Sequence, residues 1–120
     1  MEIKIKLPWP DKLLSPNARC HWAVKSKCTK QHRALAFIAA RQQCQKIPRW
    51  PVAYYSLTCT LGPNRKTPDE DNLLAQLKAY RDGLQDAGIV TNDRMLRIGG
   101  PVDFIMGAKS EIEFVIWEAT

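Results

Sequence analysis

No apolar run in the chain approaches the roughly 20 residues that cross a bilayer. The opening Met1-Glu2-Ile3-Lys4-Ile5-Lys6 alternates charge with apolar side chains, unlike the core of a secretion signal. These absences predict a soluble, cytoplasmic protein with no membrane partner. Cysteine is also sparse. Cys20, Cys28, Cys44 and Cys59 contain no C-x-x-C pair, which argues against a disulfide framework and reads as four reduced thiols. No Gly-rich phosphate loop, G-x-S-x-G elbow or H-E-x-x-H pair is present. Nucleoside triphosphatases, serine hydrolases and zincins therefore have no support, and no nucleotide cofactor is expected. What remains is 120 residues, 45% apolar and 25% charged, which suits one compact domain over residues 1–120 with a core that needs no crosslink.

Acid is scarce in the first half of the chain. Residues 1–49 carry eleven Lys/Arg against two acids, whereas residues 50–120 carry seven against ten. A polyanion would be drawn to the first half, while carboxylates in the second repel phosphate unless a cation intervenes. Ordinary solvated surface charge accounts for the totals equally well.

Period-two alternation predicts a strand over residues 2–7. Prolines 8, 10 and 16 then mark a loop reaching to about Thr29. It carries Arg19, Lys25, Lys27, Lys30 and Arg33 around His21 and Trp22, a composition suited to phosphate neutralisation and base stacking. A helix is expected from Thr29 to Lys46, with Ala34, Leu35, Ile38, Ala39 and Gln42 on one face. A strand follows over 52–61, then a helix over 68–86 ended by Gly88. Apolar segments at 95–98 and 102–106, separated by Gly99-Gly100-Pro101, lead to an expected hairpin turn at 107–110 and a last strand over 111–117. The β-α-β-α-β-β order predicts an α+β domain, a mixed sheet with two helices on one face.

In the second helix Leu73, Leu77, Tyr80 and Leu84 step by four, three and four and define the core stripe. Asp71, Lys78 and Asp82 fall on the opposite face, with Asp69 just before the first turn. Asp93 follows the turn at Gly88, where a chain reversal could return it to the same region. Three carboxylates so gathered suit a hard divalent cation, which takes one or two carboxylates plus substrate phosphate. A lysine beside it would steady charge developing in phosphodiester hydrolysis. Capping alone also explains Asp69-Glu70-Asp71-Asn72, a turn explains Asn92-Asp93, and solvation explains Lys78. Cys20, His21, Cys28 and His32 offer zinc ligands at a spacing that matches no common module.

The chain resembles the RusA family of Holliday-junction resolvases along nearly its whole length. The resemblance is carried by Leu7-Pro8-Trp9-Pro10, by Leu14-Ser15-Pro16-Asn17-Ala18-Arg19 with His21-Trp22, and by the ordered series Asp69-x-Asp71-Asn72-Leu73, Lys78, Asp82-Gly83-Leu84, Asp86-Ala87-Gly88-Ile89 and Asn92-Asp93. It implies a RusA-like fold and a homodimer that binds four-way DNA junctions and makes paired symmetric nicks with Mg²⁺ or Mn²⁺. Asp69, Asp71 and Asp93 would hold metal and water, with Lys78 as the essential lysine. Arg19, Lys25, Lys27, Lys30, Arg33, Arg65 and Lys66 are the expected backbone-phosphate contacts. The chain departs from the family pattern at Ala75, where a lysine is usual, at Asn92, where an aspartate is usual, and in the reduced basic run Arg65-Lys66-Thr67-Pro68. A branched-DNA-binding relative that does not cut, and a zinc-stabilised interaction module, are the rival expectations.

Overall fold

The computed structural model describes residues 1–120. Strand β1 (Glu2–Pro8) is followed by a single 3-10 turn, helix α1 (Trp22–Gln43), strand β2 (Ala53–Leu61), helices α2 (Glu70–Gln76) and α3 (Lys78–Asp86), and strands β3 (Leu96–Met106) and β4 (Glu111–Glu118). The sheet order is β1-β4-β2-β3. Strand β4 runs antiparallel to both β1 and β2, while β2 and β3 are parallel. A parallel pair needs a long crossover, and α2 with α3 supplies it. The result is an α+β domain with a mixed sheet, as expected from the sequence. No helix is long and apolar enough to cross a membrane.

Alternation decides which face of the sheet is covered. Ala53, Tyr55, Leu57, Cys59 and Leu61 of β2 are buried, as are Ile112, Phe114 and Ile116 of β4 and Ile5 and Leu7 of β1. All of these side chains except Leu61 join Leu73, Leu77, Tyr80 and Leu84, the stripe expected on the second helix, in one continuous core. Burial desolvates the Tyr80 phenol and pushes its pKa up, and its hydroxyl donates to the Pro8 carbonyl at 2.9 Å. The other face of the sheet is open, with Tyr54 and Trp117 stacked at a tilt, ring centroids 6.4 Å apart. Gly99 and Gly100 let β3 run close to that pair, since a Cβ on Gly99 would lie 2.6 Å from the Tyr54 side chain.

Four sequence expectations are corrected. Helix α1 begins at Trp22 rather than Thr29, because the His21 ring accepts the Ala23 N–H at 3.1 Å and caps the helix. Thr29 lies inside the helix and donates its hydroxyl to the Lys25 carbonyl. The buried face of α1 is Cys28, Ala36, Ala39 and Ala40, while Leu35 and Ile38 are exposed, because only small residues admit α3 so closely. The second helix kinks at Leu77, whose ψ of 0° breaks it into α2 and α3, although the Leu77 and Arg81 N–H groups keep helical partners. Residues 107–110 form no hairpin. They step over the end of β2 from one neighbour of that strand to the other, held by Gly107 N–H on the Leu61 carbonyl and Gly62 N–H on Ser110 Oγ. The apolar segments 95–98 and 102–106 lie on one strand, β3, with a register shift opposite Tyr55 and Leu57.

The exposed edge at β1 is protected by a side chain. Gln43 at the end of α1 accepts the Lys6 N–H at 2.7 Å and donates to the Lys6 carbonyl at 2.9 Å, imitating a neighbouring strand.

Candidate functional site

Helix α3 turns its apolar stripe inward and so presents Lys78, Arg81, Asp82 and Gln85 along a more polar side. Gly88, at φ +96°, ends the helix in a left-handed residue that glycine adopts without strain. The chain then pins itself back to the sheet through Trp50, whose N–H donates to the Ile89 carbonyl and whose carbonyl accepts the Thr91 N–H at 2.9 Å. Asp93 and Arg94 follow in a tight turn that leads into β3. Arg94 has φ +68°, a strained setting for a side chain with a Cβ.

A polar chain holds that turn against α3. Lys78 Nζ donates to Asp82 Oδ2 at 2.8 Å, Gln85 Nε2 lies 3.4 Å from Asp82 Oδ1, and Gln85 Oε1 accepts the Arg94 N–H at 2.9 Å. The strained residue next to Asp93 is thus tied, through one glutamine, to the carboxylate paired with Lys78.

Between α3 and the start of β3 lies an open cleft of about 550 Å³. Its walls carry Lys78, Arg81 and Asp82 from α3, Arg33 from α1, and Asp93, Arg94 and Arg97 from the turn and β3, with Leu96 and Ile98 supplying the apolar part of its lining. Five cations face two acids, and a third carboxylate, Asp86, holds Arg33 from beside the cleft with Nη2 on Oδ1 at 2.8 Å. The Arg33 guanidinium and the Asp86 carboxylate bind each other in two-pronged fashion. Their hydrogen bonds hold the Asp86 carboxyl below its ordinary range and push Arg33 above its own.

The sequence-named residues divide. Lys78 and Asp93 line the cleft together. Asp69 and Asp71 are exposed at the start of α2, outside its lining, and Asp69 makes no side-chain capping bond. No three His, Cys, Asp or Glu side chains are grouped to hold a metal. Arg33 reaches the cleft already bound to Asp86. Lys25 lines an adjoining groove that shares Lys78 and Asp82 with the cleft. Lys27 and Lys30 flank the exposed Trp22 on the outer side of α1, and Arg19 is exposed in the preceding loop. The lysines expected in a loop are therefore on a helix. Arg65 stacks over the Trp9 ring at 4.6 Å and donates to Ser110 Oγ, while Lys66 and Lys109 border the same hollow.

The two histidines of the Cys/His quartet are committed elsewhere. His21 Nδ1 caps α1, and His32 Nε2 accepts the Asp11 N–H at 3.1 Å. That leaves the His32 proton on Nδ1, 3.0 Å from the Cys28 carbonyl, so neither His32 nitrogen has a free lone pair for a metal.

Sequence reasoning did not single out Arg81, Gln85, Arg94 and Arg97. Lys78, Asp82 and Gln85 were within its reach through their spacing of four and three on one helix. Arg94 and Arg97 become neighbours of α3 only when the chain reverses at Gly88.

No family model matches the chain. In an alignment of 92 residues it is 41% identical to an uncharacterized protein of Xylella fastidiosa, the match covering 69% of the chain and 56% of that relative. The chain thus corresponds to little more than half the length of that protein.

Proposed function

We propose that the protein is a cytoplasmic metal-dependent endodeoxyribonuclease of the RusA type, a homodimer that nicks four-way DNA junctions. One observation carries the reading. Lys78 and Asp93, fifteen positions apart in the sequence and both part of the RusA-like series, line one cleft whose remaining charge is mostly cationic. A lysine and carboxylates alone would repel or merely exchange with phosphate. Set among arginines, the same groups suit a bound phosphodiester.

The donor set of the cleft fits Mg²⁺ or Mn²⁺, which need only one or two carboxylates beside phosphate and water. Asp93 and Asp82 would hold the ion there, while Asp69 and Asp71 are assigned to it by resemblance alone. Such an ion supplies charge neutralisation and a more acidic water. The protein's own side chains do the rest. Lys78 keeps its ammonium exposed, paired at 2.8 Å with Asp82, and exchanges that partner for a phosphate oxygen as charge builds on it. Gln85 fixes the turn that presents Asp93. A two-fold dimer would offer two such clefts to the two strands of a two-fold junction.

A second reading, a branched-DNA-binding protein that does not cut, is favoured by the separation of Asp69 and Asp71 from the cleft. End-labelled four-way junction and linear duplex of the same sequence separate the two readings when incubated with Mg²⁺, Mn²⁺ or EDTA. The nuclease reading predicts paired nicks in the junction with either metal, none in EDTA and a spared duplex. A junction that is bound yet intact under all three conditions sinks it.

A further inference from the structure

Three guanidinium groups in the cleft have no acid. The ion pairs of the molecule are Lys4 with Glu2, Arg33 with Asp86 and Lys78 with Asp82, which leaves Arg81, Arg94 and Arg97 without a carboxylate partner. They come from three places, a helix, a strained turn and the start of an edge strand, yet all line the same cleft. Arg97 is steadied there by its Nε, 3.4 Å from the Arg94 carbonyl. Three such cations against one free carboxylate in the cleft, Asp93, leave an excess of like charge that opposes folding, so their convergence points to an anion that arrives with the ligand.

The cleft also describes that anion. A cavity of about 550 Å³ with three separate forked donors exceeds what one small phosphate can engage. Part of its lining is apolar, the buried Leu96 and the 43% exposed Ile98, and the exposed side chain suits the carbon face of a sugar rather than a fully hydrated ion. We infer that Arg81, Arg94 and Arg97 form a grip for successive phosphodiesters of one DNA strand, with a deoxyribose against Ile98. The identity of the strand as DNA rests on the function proposed above; the phosphate grip itself stands on the cleft. The grip fixes the register of the strand and leaves Asp93 and Lys78 to the bond that breaks.

Fluorescence anisotropy with a labelled single-stranded DNA oligonucleotide in EDTA tests this without any cleavage. For single strands each lost phosphate contact lowers the slope of log affinity against log salt by about 0.7. The triple variant Arg81→Gln/Arg94→Gln/Arg97→Gln should therefore lose about 2 from the slope and bind about 100-fold more weakly near 0.1 M salt. Arg41→Gln, on α1 outside the cleft, should change neither. Should the triple variant melt early, Arg81→Gln with Arg94→Asn keeps a residue that tolerates positive φ and should lose about 1.4 from the slope. An unchanged slope in a folded variant overturns the grip, and so does complete displacement of the oligonucleotide by inorganic pyrophosphate at equal phosphate concentration. Because metal is absent, a reduced slope together with a junction left intact in Mg²⁺ would retain the grip and reject the nuclease.

Discussion

Replacing Asp93 with asparagine should lower junction nicking about 1,000-fold, equivalent to about 4 kcal/mol of transition-state stabilisation, while junction binding in EDTA stays within a few-fold of the parent. The substitution keeps the shape of the side chain and removes its charge. Asp93 is exposed, accepts no hydrogen bond from another residue and takes part in none of the ion pairs, so the fold loses nothing measurable by the change. What is lost is an anionic oxygen in a cleft otherwise dominated by cations. Binding survives because the arginines are untouched and one negative charge fewer favours phosphate. Lys78→Ala should act differently, lowering the single-turnover rate about 100-fold and also releasing Asp82, so that affinity falls with it. Single-turnover nicking beside anisotropy in EDTA distinguishes these patterns. An Asp93→Asn protein that nicks within threefold of the parent removes the cleft from the chemistry.

The second large effect concerns how the cleft is built. Gly83 sits where α3 crosses α1. A Cβ placed there would lie 2.1 Å from the Arg33 carbonyl oxygen and 2.8 Å from the Ala36 methyl. The obstructing atom is backbone, which cannot rotate away, so Gly83→Ala must push the two helices apart. Alanine gains about 1 kcal/mol of helix propensity over glycine, yet the loss of packing should outweigh it and leave a net cost of about 3 kcal/mol. In thermal unfolding that is a fall on the order of 10 °C. The separation also draws Arg33 on α1 away from Asp86 on α3 and widens the cleft, so nicking should fall more than the unfolded fraction explains. Denaturant midpoints measured beside nicking rates check both parts. An alanine variant as stable as the parent would mean that the helices do not pack through this glycine.

The same crossing explains what the sequence hid. The stripe Leu73, Leu77, Tyr80 and Leu84 was readable because large apolar residues at helical spacing have one place to go. On α1 that rule misled. The large residues Leu35 and Ile38 face outward, and the contact with α3 is made by Ala36 against Gly83, because close approach of backbones requires small side chains. The start of α1 was obscured by its cap, since a histidine ring that accepts a main-chain N–H is an uncommon substitute for Ser or Asp. Strands β1 and β4 were legible from alternation, and β2 from its β-branched and aromatic composition. Their neighbours were not, because only the folded sheet shows that residues 107–110 step across β2 and that β3 lies parallel to it.

The candidate site was legible in the same uneven way. Lys78 and Asp82 share a helix face through their spacing of four, and their ion pair follows from it. Asp93 enters the cleft through the reversal at Gly88, which its glycine signalled. Arg81, Arg94 and Arg97 carried no signal as single residues, for their meaning lies in their convergence on one cleft without ion-pair partners. Asp69 and Asp71 read clearly as a motif yet stand outside the lining of the cleft.

Binding of a hard cation beside Asp93 is the claim on which the rest turns, and paramagnetic broadening by Mn²⁺ reads it residue by residue. In the ¹⁵N-labelled protein bound to a phosphorothioate-blocked strand, substoichiometric Mn²⁺ should first erase the amide signals of Asp82, Asp93 and Arg94, and Asp93→Asn should restore them. Broadening centred on Cys20, His21 and Cys28, or amide signals that survive equimolar Mn²⁺ throughout the cleft, would contradict the account.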